Sequence, residues 1–353
     1  MYFSDKKLSD YCCKALISCG LPKTSAQTVA EVLVNADMRG INSHGIIRMI
    51  GYVECLQSGG VRANAKYRVI SDGASNALID ADQGLGIPVS VFANNIARAK
   101  AKETGIGIVN VFNSHHHGAC GYYSRMLALD GLIGLAMSTG DVIMAASGSA
   151  SRAIGNNPFS YSIPAGKYGT ICYDIAMSQV AAGKISIAAD EEKSIPLGWL
   201  LDPEGNPTTD PKQYDLGGAL VAFGGHKGYG LSIMVESLAG LLSGAASLSN
   251  IHAWNKNPEQ SGNVGHMFIA LDPAKLNPEI DMSKRAESMI EELASAKCAP
   301  GVDRILFPGQ LAQEKEYKAL KNGLELPQAT LDAMMAVAQR TSLPFIPEEL
   351  AFI

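Results

Sequence analysis

Short apolar stretches alternate with helical stretches through the middle of this chain, and that alternation restricts its fold more than any other feature. Apolar, often β-branched runs predict strands, and runs with a 3.6-residue apolar period predict helices. The predicted strands lie at 67–70, 77–80, 106–112, 132–137, 159–163, 170–175 and 266–271. The predicted helices among them lie at 88–102, 121–129 and 229–243. Strands that alternate with helices are typical of an α/β domain.

Both ends of the chain carry a helical pattern instead. Near the N-terminus we predict helices at 5–18, 24–39 and 44–57, the third capped by Asn42 or Ser43. From Met282 onward the chain is again mainly helical. We therefore expect the two ends to pack together, with the α/β part between them. This interpretation divides the chain into 1–75, 76–275 and 276–353.

Composition and charge exclude several classes of partner. The net charge is −5 and no basic block occurs, so nucleic acid is not an expected partner. No apolar run is long enough to span a membrane, and early charges leave no apolar signal segment, so we expect a cytoplasmic protein. The seven cysteines are odd in number and include no Cys-x-x-Cys pair, which favours reduced thiols.

The first candidate site segment is 42–52, where His44, Arg48 and Tyr52 follow at intervals of four residues. On a helix these three side chains share one face. Ser43 is predicted at the helix N-terminus, where free N–H groups favour an anion. The guanidinium of Arg48 is suited to a forked contact with a carboxylate. The alternative is a surface helix with a capping serine and an ordinary arginine.

The second segment is 113–123, which contains three adjacent histidines directly after a predicted buried strand. Reactive groups of α/β enzymes commonly stand where a strand opens into a loop. A histidine such as His116 can transfer a proton near neutral pH. A metal site is a competing interpretation, but adjacent side chains point in alternating directions and no HExxH motif accompanies them. His115 and His117 can equally be ordinary polar loop residues.

Two further segments could bind polar or phosphate groups. Asp174 closes a predicted strand and is followed by small residues, which suits hydrogen bonding to a bound sugar or amide, and 155–158 is a Gly-Asn-Asn-Pro turn. The alternative for this part of the chain is an ordinary turn and helix cap. The glycines of 224–231 precede an apolar helix and include Lys227, which is typical of a phosphate site. Neither the Gly-x-Gly-x-x-Gly fingerprint nor a Walker loop occurs, so a Rossmann or P-loop fold is not expected.

In this order and at these separations, the segments resemble the malate/L-lactate dehydrogenase family, the type related to ureidoglycolate dehydrogenase, sulfolactate dehydrogenase and diketogulonate reductase. The resemblance covers nearly the whole chain. The matching pieces are 36–45, 113–118, 155–158, 174–176 and 226–231. It implies an α/β fold with a non-Rossmann, mixed-sheet nicotinamide-binding domain at 76–275. It also implies a helical domain built from both chain ends, with 1–75 on the substrate side and 276–353 packing against it.

The same resemblance assigns roles to individual residues. It implies that His116 donates and accepts the proton, that Arg48 binds the substrate carboxylate beside Ser43 and His44, and that a homodimer binds NAD or NADP. The predicted catalytic residues are His116, His44, Arg48 and Ser43, and the predicted substrate contacts are Arg48, Tyr52 and His116. The predicted cofactor contacts are Gly140, Asn156, Asp174, Ile175, Ala176 and Lys227, and no metal is expected.

The predicted function is NAD(P)-dependent interconversion of a small 2-hydroxy acid and its 2-keto acid, with malate placed first. Ureidoglycolate, L-lactate, sulfolactate and diketogulonate remain alternative substrates. Two alternatives belong to other classes of protein. One is a metal-dependent hydrolase built on the histidine cluster 115–117, and the other is a binding protein without catalysis.

Overall fold

The computed structural model describes residues 1–352 and contains helices at both ends and between strands. The helices are α1 (Asp5–Ser18), α2 (Lys23–Met38), α3 (Met49–Ser58), α4 (Gly86–Thr104), α5 (Cys120–Leu129), α6 (Ala182–Asp190), α7 (His226–Val235), α8 (Pro273–Leu276), α9 (Met282–Ala294), α10 (Gln310–Asn322) and α11 (Gln328–Thr341). Within this part of the chain no helix has both the length and the apolar character needed to cross a bilayer.

Twelve strands form two sheets in the described part of the chain. They are β1 (Arg68–Asp72), β2 (Asn76–Asp80), β3 (Ile106–Ser114), β4 (Ile133–Ser138), β5 (Val142–Ala145), β6 (Arg152–Gly155), β7 (Phe159–Pro164), β8 (Thr170–Ile175), β9 (Leu200–Leu201), β10 (Pro207–Thr208), β11 (Ala219–Leu220) and β12 (Val264–Leu271). All seven strands predicted from the sequence are present. The short strands β5, β6, β9, β10 and β11 were not predicted, and β10 lies in a polar segment.

The larger sheet confirms the expectation of a mixed α/β fold. Its order is β1-β2-β3-β12-β4-β7-β8. Only the β2–β3 pair is parallel; the other neighbours in this sheet are antiparallel. Strand β12 lies between β3 and β4, although more than 120 residues separate it from either in the sequence. The β3 strand ends at Ser114, which brings the loop that follows it to the edge of the candidate site.

The smaller sheet has the order β10-β9-β11-β5-β6 and forms the opposite wall of the site. Its core contains Met144, Ile154 and Leu220, which pack with Val235 of α7. After Val235 the helix continues as a π-helical turn, Glu236–Leu241. The buried Glu236 carboxylate accepts hydrogen bonds from the Asn157 side chain (2.7 Å) and the Leu248 N–H (2.8 Å), which tie this turn to two neighbouring segments.

One apolar core joins the two chain ends. It contains buried residues of α1, α2 and α3 together with Leu324, Met334, Val337 and Leu350 from the C-terminal part. Helix α9 differs from this arrangement. Its Ala286 and Ile290 pack against Ala165 and Ile171 beside the larger sheet, so not all of 276–353 packs on the N-terminal helices. The domain boundaries proposed from the sequence stay predictions.

Candidate active site

A cavity of about 340 Å³ lies between the helical core and the two sheets. Here it is called the site cavity. Its lining includes several residues that the sequence predicted: Ser43, His44, Arg48, His116, Gly140, Asn156, Asp174, Ile175 and Ala176. Two predicted residues, Tyr52 and Lys227, do not line it. The local structure explains both the convergence and the two exceptions.

Residues 42–48 form two 3₁₀ turns, not the start of a helix as predicted. The turns are Asn42–His44 and Ile46–Arg48, and α3 begins only at Met49. The break lies at Gly45, where a Cβ would overlap the Asp37 carboxylate. That carboxylate accepts a hydrogen bond from the Ile46 N–H at 2.7 Å and so fixes the turn. The prediction that Ser43 caps the N-terminus of a helix was therefore wrong.

The turn places Arg48 against the cavity with part of its guanidinium already engaged. Its Nε donates to the Ser43 carbonyl oxygen at 2.6 Å, and its guanidinium carbon lies 5.7 Å from the centroid of the Trp254 ring. The two terminal nitrogens remain for a ligand. A carboxylate can accept from both in the bidentate geometry that guanidinium groups favour.

His116 stands in the loop after β3, and an unusual backbone position sets the direction of that loop. Asn113 adopts φ of +56°, a conformation that asparagine tolerates better than most residues. Its side chain donates to Asp80 Oδ1 at 2.9 Å, and its N–H donates to Asn263 Oδ1 at 2.7 Å. These contacts hold the end of β3 against two neighbouring segments. The loop from Ser114 onward then turns toward the site cavity.

Three rings surround the imidazole of His116. The Tyr52 hydroxyl lies 2.7 Å from its Nδ1, within hydrogen-bonding distance. His44 and Trp254 stack on it with centroid distances of 5.6 and 4.9 Å. Burial, followed by the nearby His44 and Arg48, lowers the pKa of His116 well below the ordinary histidine value. The imidazole is therefore neutral at neutral pH and can accept a proton.

Tyr52 contacts His116 but does not line the site cavity. Its side chain is fully buried in α3, so the prediction of a direct substrate contact is not supported by its position. Burial also raises the pKa of the phenol, which keeps it protonated. A protonated phenol can either donate to Nδ1 or accept from Nδ1–H. Tyr52 therefore orients the ring whose other nitrogen is left for a ligand.

The three adjacent histidines enter three different environments. His115 packs its ring against Tyr52 and Trp254, and both of its ring nitrogens are buried without a hydrogen-bond partner. His117 lies within hydrogen-bonding distance of Ser90 Oγ and Cys120 Sγ, both at 3.2 Å. Within residues 1–352 no group of three side chains that commonly bind metals comes together. The hydrolase alternative thus finds no support in this cluster.

The predicted cofactor contacts form the other side of the cavity, and their properties fit a dinucleotide. Asp174 accepts a hydrogen bond from the Gly121 N–H at 2.8 Å with Oδ2 and has a second oxygen for a ligand hydroxyl. Burial raises the pKa of Asp174 to about 6. A Cβ added at Gly183 would have no atom within 4 Å, so the backbone there faces open space. Small residues of this kind allow close approach of a flat ring or a pyrophosphate.

Lys227 stands apart from this group. It is exposed in the first turn of α7, after two glycines with positive φ, Gly224 and Gly225. The two glycines and the helix that begins after them are the local features from which the sequence predicted a phosphate site. Lys227 does not line the site cavity, so its cofactor role stays a prediction.

A second cavity, also about 340 Å³, adjoins the first and includes residues that the sequence analysis missed. The two cavities share Ile41, Ala119, Asp174 and Ile175. The far wall of the second is formed by 306–309, to which the sequence analysis assigned no role. Gly309 packs closely on Cys172. Trp254 was also missed, because it lies in an irregular segment whose only signal is an isolated aromatic residue.

Comparison with known proteins gives a consistent result. The family model described as malate/L-lactate dehydrogenase matches residues 3–335. Malate dehydrogenase from Pyrococcus horikoshii is 37% identical over 96% of this chain and 94% of its own length. Ureidoglycolate dehydrogenase (NAD(+)) from Escherichia coli K12 is 30% identical over 94% of this chain and 95% of its own. The structure of sulfolactate dehydrogenase from Methanocaldococcus jannaschii superimposes with a TM-score of 0.90 at 29% identity, covering 99% of both chains.

Proposed function

This chain belongs to the malate/L-lactate dehydrogenase family, and from that premise we propose that it interconverts a small 2-hydroxy acid and its 2-keto acid with NAD or NADP. One observation carries the proposal: a proton acceptor, His116, and a carboxylate-binding group, Arg48, line the same cavity. The substrate has one group for each. Its carboxylate matches the guanidinium, and its C2 oxygen matches the imidazole.

Arg48 holds the carboxylate and fixes the orientation of the substrate. Because its Nε is bound to the Ser43 carbonyl oxygen, the guanidinium plane cannot rotate freely. A carboxylate bound to the terminal nitrogens then points C2 in one direction. Fixing the reacting carbon in this way removes much of the entropic part of the barrier.

His116 moves the proton of the C2 oxygen. When the hydroxy acid is oxidised, the neutral imidazole accepts the hydroxyl proton at Nε2, while Nδ1–H is held by the Tyr52 oxygen. When the keto acid is reduced, the protonated imidazole returns that proton to the C2 oxygen. A single well-placed acid–base group commonly contributes about 10²–10⁴-fold in rate.

The residues proposed to hold the cofactor are Gly140, Asn156, Asp174, Ile175 and Ala176, all of which line the site cavity. Asp174 also borders the second cavity, so an extended dinucleotide could occupy both. When bound, the nicotinamide ring supplies the hydride acceptor or donor. Trp254 and His44 stack on the imidazole of His116 and so reduce the water around it.

The more specific parts of the proposal are that the substrate is malate, that the protein is located in the cytoplasm and that it forms a homodimer. Malate is the substrate named for one relative, and ureidoglycolate and sulfolactate are named for others. A dimer is supported by exposed apolar side chains on α7 and the segment after it, including Leu231, Ile233, Leu241 and Leu242.

The test offers the protein a panel of substrates and cofactors and monitors each reaction by the absorbance of the reduced nicotinamide. Oxaloacetate, pyruvate, sulfopyruvate and diketogulonate are offered with NADH and NADPH, and malate, lactate and ureidoglycolate with NAD and NADP. We expect turnover with at least one pair. His116→Ala should reduce kcat by about 10²–10⁴-fold while cofactor binding, measured by fluorescence titration, persists. Full activity of that variant across pH would contradict the proposal.

A further inference from the structure

We propose that Asp141 determines substrate specificity by contacting the end of the substrate opposite the C1 carboxylate. The group at that end is an N–H donor, such as a carboxamide or ureido group, and not a second carboxylate or sulfonate. This inference rests on the proposed function, because it assumes that Arg48 binds the C1 carboxylate. It refines the substrate class among the 2-hydroxy acids considered above. It differs from the sequence-based preference for malate, which has two carboxylates.

The backbone around Asp141 is firmly held. Strand β4 ends at Ser138, and the Thr139 N–H then donates to the Gly265 carbonyl oxygen at 3.0 Å. The Gly140 N–H donates to Asn157 Oδ1 at 3.1 Å. Asp141 follows directly, before β5 begins at Val142, and it lines the site cavity with Arg48 and His116. Its position relative to those two groups is therefore set by the sheet and not by a loose loop.

The Asp141 carboxylate has unused acceptor capacity. Within residues 1–352 no side chain of another residue donates a hydrogen bond to it, and Lys256 and Arg152 act on it only through space. Burial is the main cause that raises its pKa, so it is partly removed from water. A half-buried acceptor without a donor is unfavourable, and a ligand N–H would supply that donor.

The cations near Asp141 are not available in the cavity. Arg152 donates to the Gly218 carbonyl oxygen at 2.9 Å and to the Tyr214 carbonyl oxygen at 2.5 Å, and it lies over the Tyr214 ring. Lys256 is exposed and does not line the cavity. Both therefore moderate the charge of Asp141 without presenting a donor to a substrate.

The remaining charges of the cavity also disfavour a second anion. Within the described residues Arg48 is the only lysine or arginine in the lining, and the C1 carboxylate occupies it. Burial lowers the pKa of His44 to about 4 and that of His116 well below 6.5, so these imidazoles add no positive charge at neutral pH. A second carboxylate would then face Asp141 without a cation of its own, and like charges in a desolvated site repel.

The experiment compares two keto acids of the same length and shape. Oxaloacetate ends in a carboxylate, and its C4 monoamide ends in a carboxamide. We expect the wild-type protein to reduce the monoamide with a kcat/KM at least about tenfold above that for oxaloacetate, since a site built to hydrogen-bond a donor discriminates strongly against an analogue without it. Asp141→Asn should reduce or reverse this ratio by about tenfold or more, with the larger change in KM.

Asp10→Asn is the matched control, because Asp10 is an exposed residue of α1 that does not line the cavity, and the substitution makes the same change of charge. It should leave the ratio unchanged. A wild-type preference for oxaloacetate, or a ratio that Asp141→Asn does not change, would overturn the role of Asp141 while the dehydrogenase activity itself stands. Absence of turnover with both keto acids and with every other substrate of the panel would instead remove the proposed function and this inference together.

Discussion

The Tyr52 hydroxyl lies 2.7 Å from Nδ1 of His116, and Tyr52 itself does not line the site cavity. This contact fixes which nitrogen of His116 faces the cavity. Without a partner at Nδ1, the imidazole can adopt either tautomer and can rotate between its stacked neighbours His44 and Trp254. Second partners of this kind commonly set the tautomer of functional histidines.

Tyr52→Phe therefore tests a positioning role. The variant keeps the ring in α3 but leaves Nδ1 without its partner, a loss of ~1.4 kcal/mol, which corresponds to about tenfold in kcat. KM should change little, because Tyr52 does not line the cavity. Steady-state kinetics with a full pH profile provide the measurement. A changed KM with unchanged kcat would return Tyr52 to the role of a substrate contact.

Arg48→Lys should be far more harmful than its conserved charge suggests. A lysine presents one ammonium group, so it cannot form the two parallel hydrogen bonds or keep the bond that Nε makes to the Ser43 carbonyl oxygen. We expect kcat/KM to fall about 100-fold, or ~2.7 kcal/mol. Arg98→Lys, which changes an exposed arginine paired with Asp130, is the matched control and should leave kcat/KM unchanged. Equal activity of the two variants would exclude a forked carboxylate contact.

The two reaction directions should depend on pH in opposite ways. Burial lowers the pKa of His116, so its neutral form, which oxidation needs, persists below pH 6.5. The kcat/KM for the hydroxy acid should therefore keep its plateau below that pH. Reduction needs the protonated form, and its kcat/KM should fall by about tenfold for each unit of pH through the neutral range. A reduction rate that stays constant to pH 8 would mean that another group donates the proton.

The sequence was informative where local pattern decides the structure. The 106–112 run predicted β3 because a buried strand needs continuous apolar residues, and the loop with His116 follows from it. The prediction that Ser43 caps a helix was wrong for the opposite reason. The helix expected at 44–57 is interrupted by Gly45 and by a carboxylate from α2, a tertiary contact that no periodicity reveals. Trp254 and 306–309 reach the two cavities from distant, irregular segments, so only the folded chain could show them.

Asp37 gives a prediction for stability, because its carboxylate is buried behind the turn that carries His44 and Arg48. Burial raises its pKa from 3.8 to about 7, against the opposing effect of the Ile46 N–H. Between these two pH values the unfolded chain has lost a proton that the folded chain still holds. The free energy of unfolding therefore decreases as the pH rises from about 4 to about 7, by at most ~1.4 kcal/mol per unit from this group.

Asp37→Asn should remove that slope. The amide oxygen can still accept from the Ile46 N–H, so the turn is retained, but no proton is released in this range. Urea unfolding at pH 5, 6, 7 and 8 measures the effect, and the variant should gain stability relative to wild type as the pH increases. For Asp10→Asn, at an exposed position on α1, the free energy of unfolding should depend on pH as it does in the wild type. Parallel curves for Asp37→Asn as well would show that this carboxyl group is already ionised in the folded protein at pH 5.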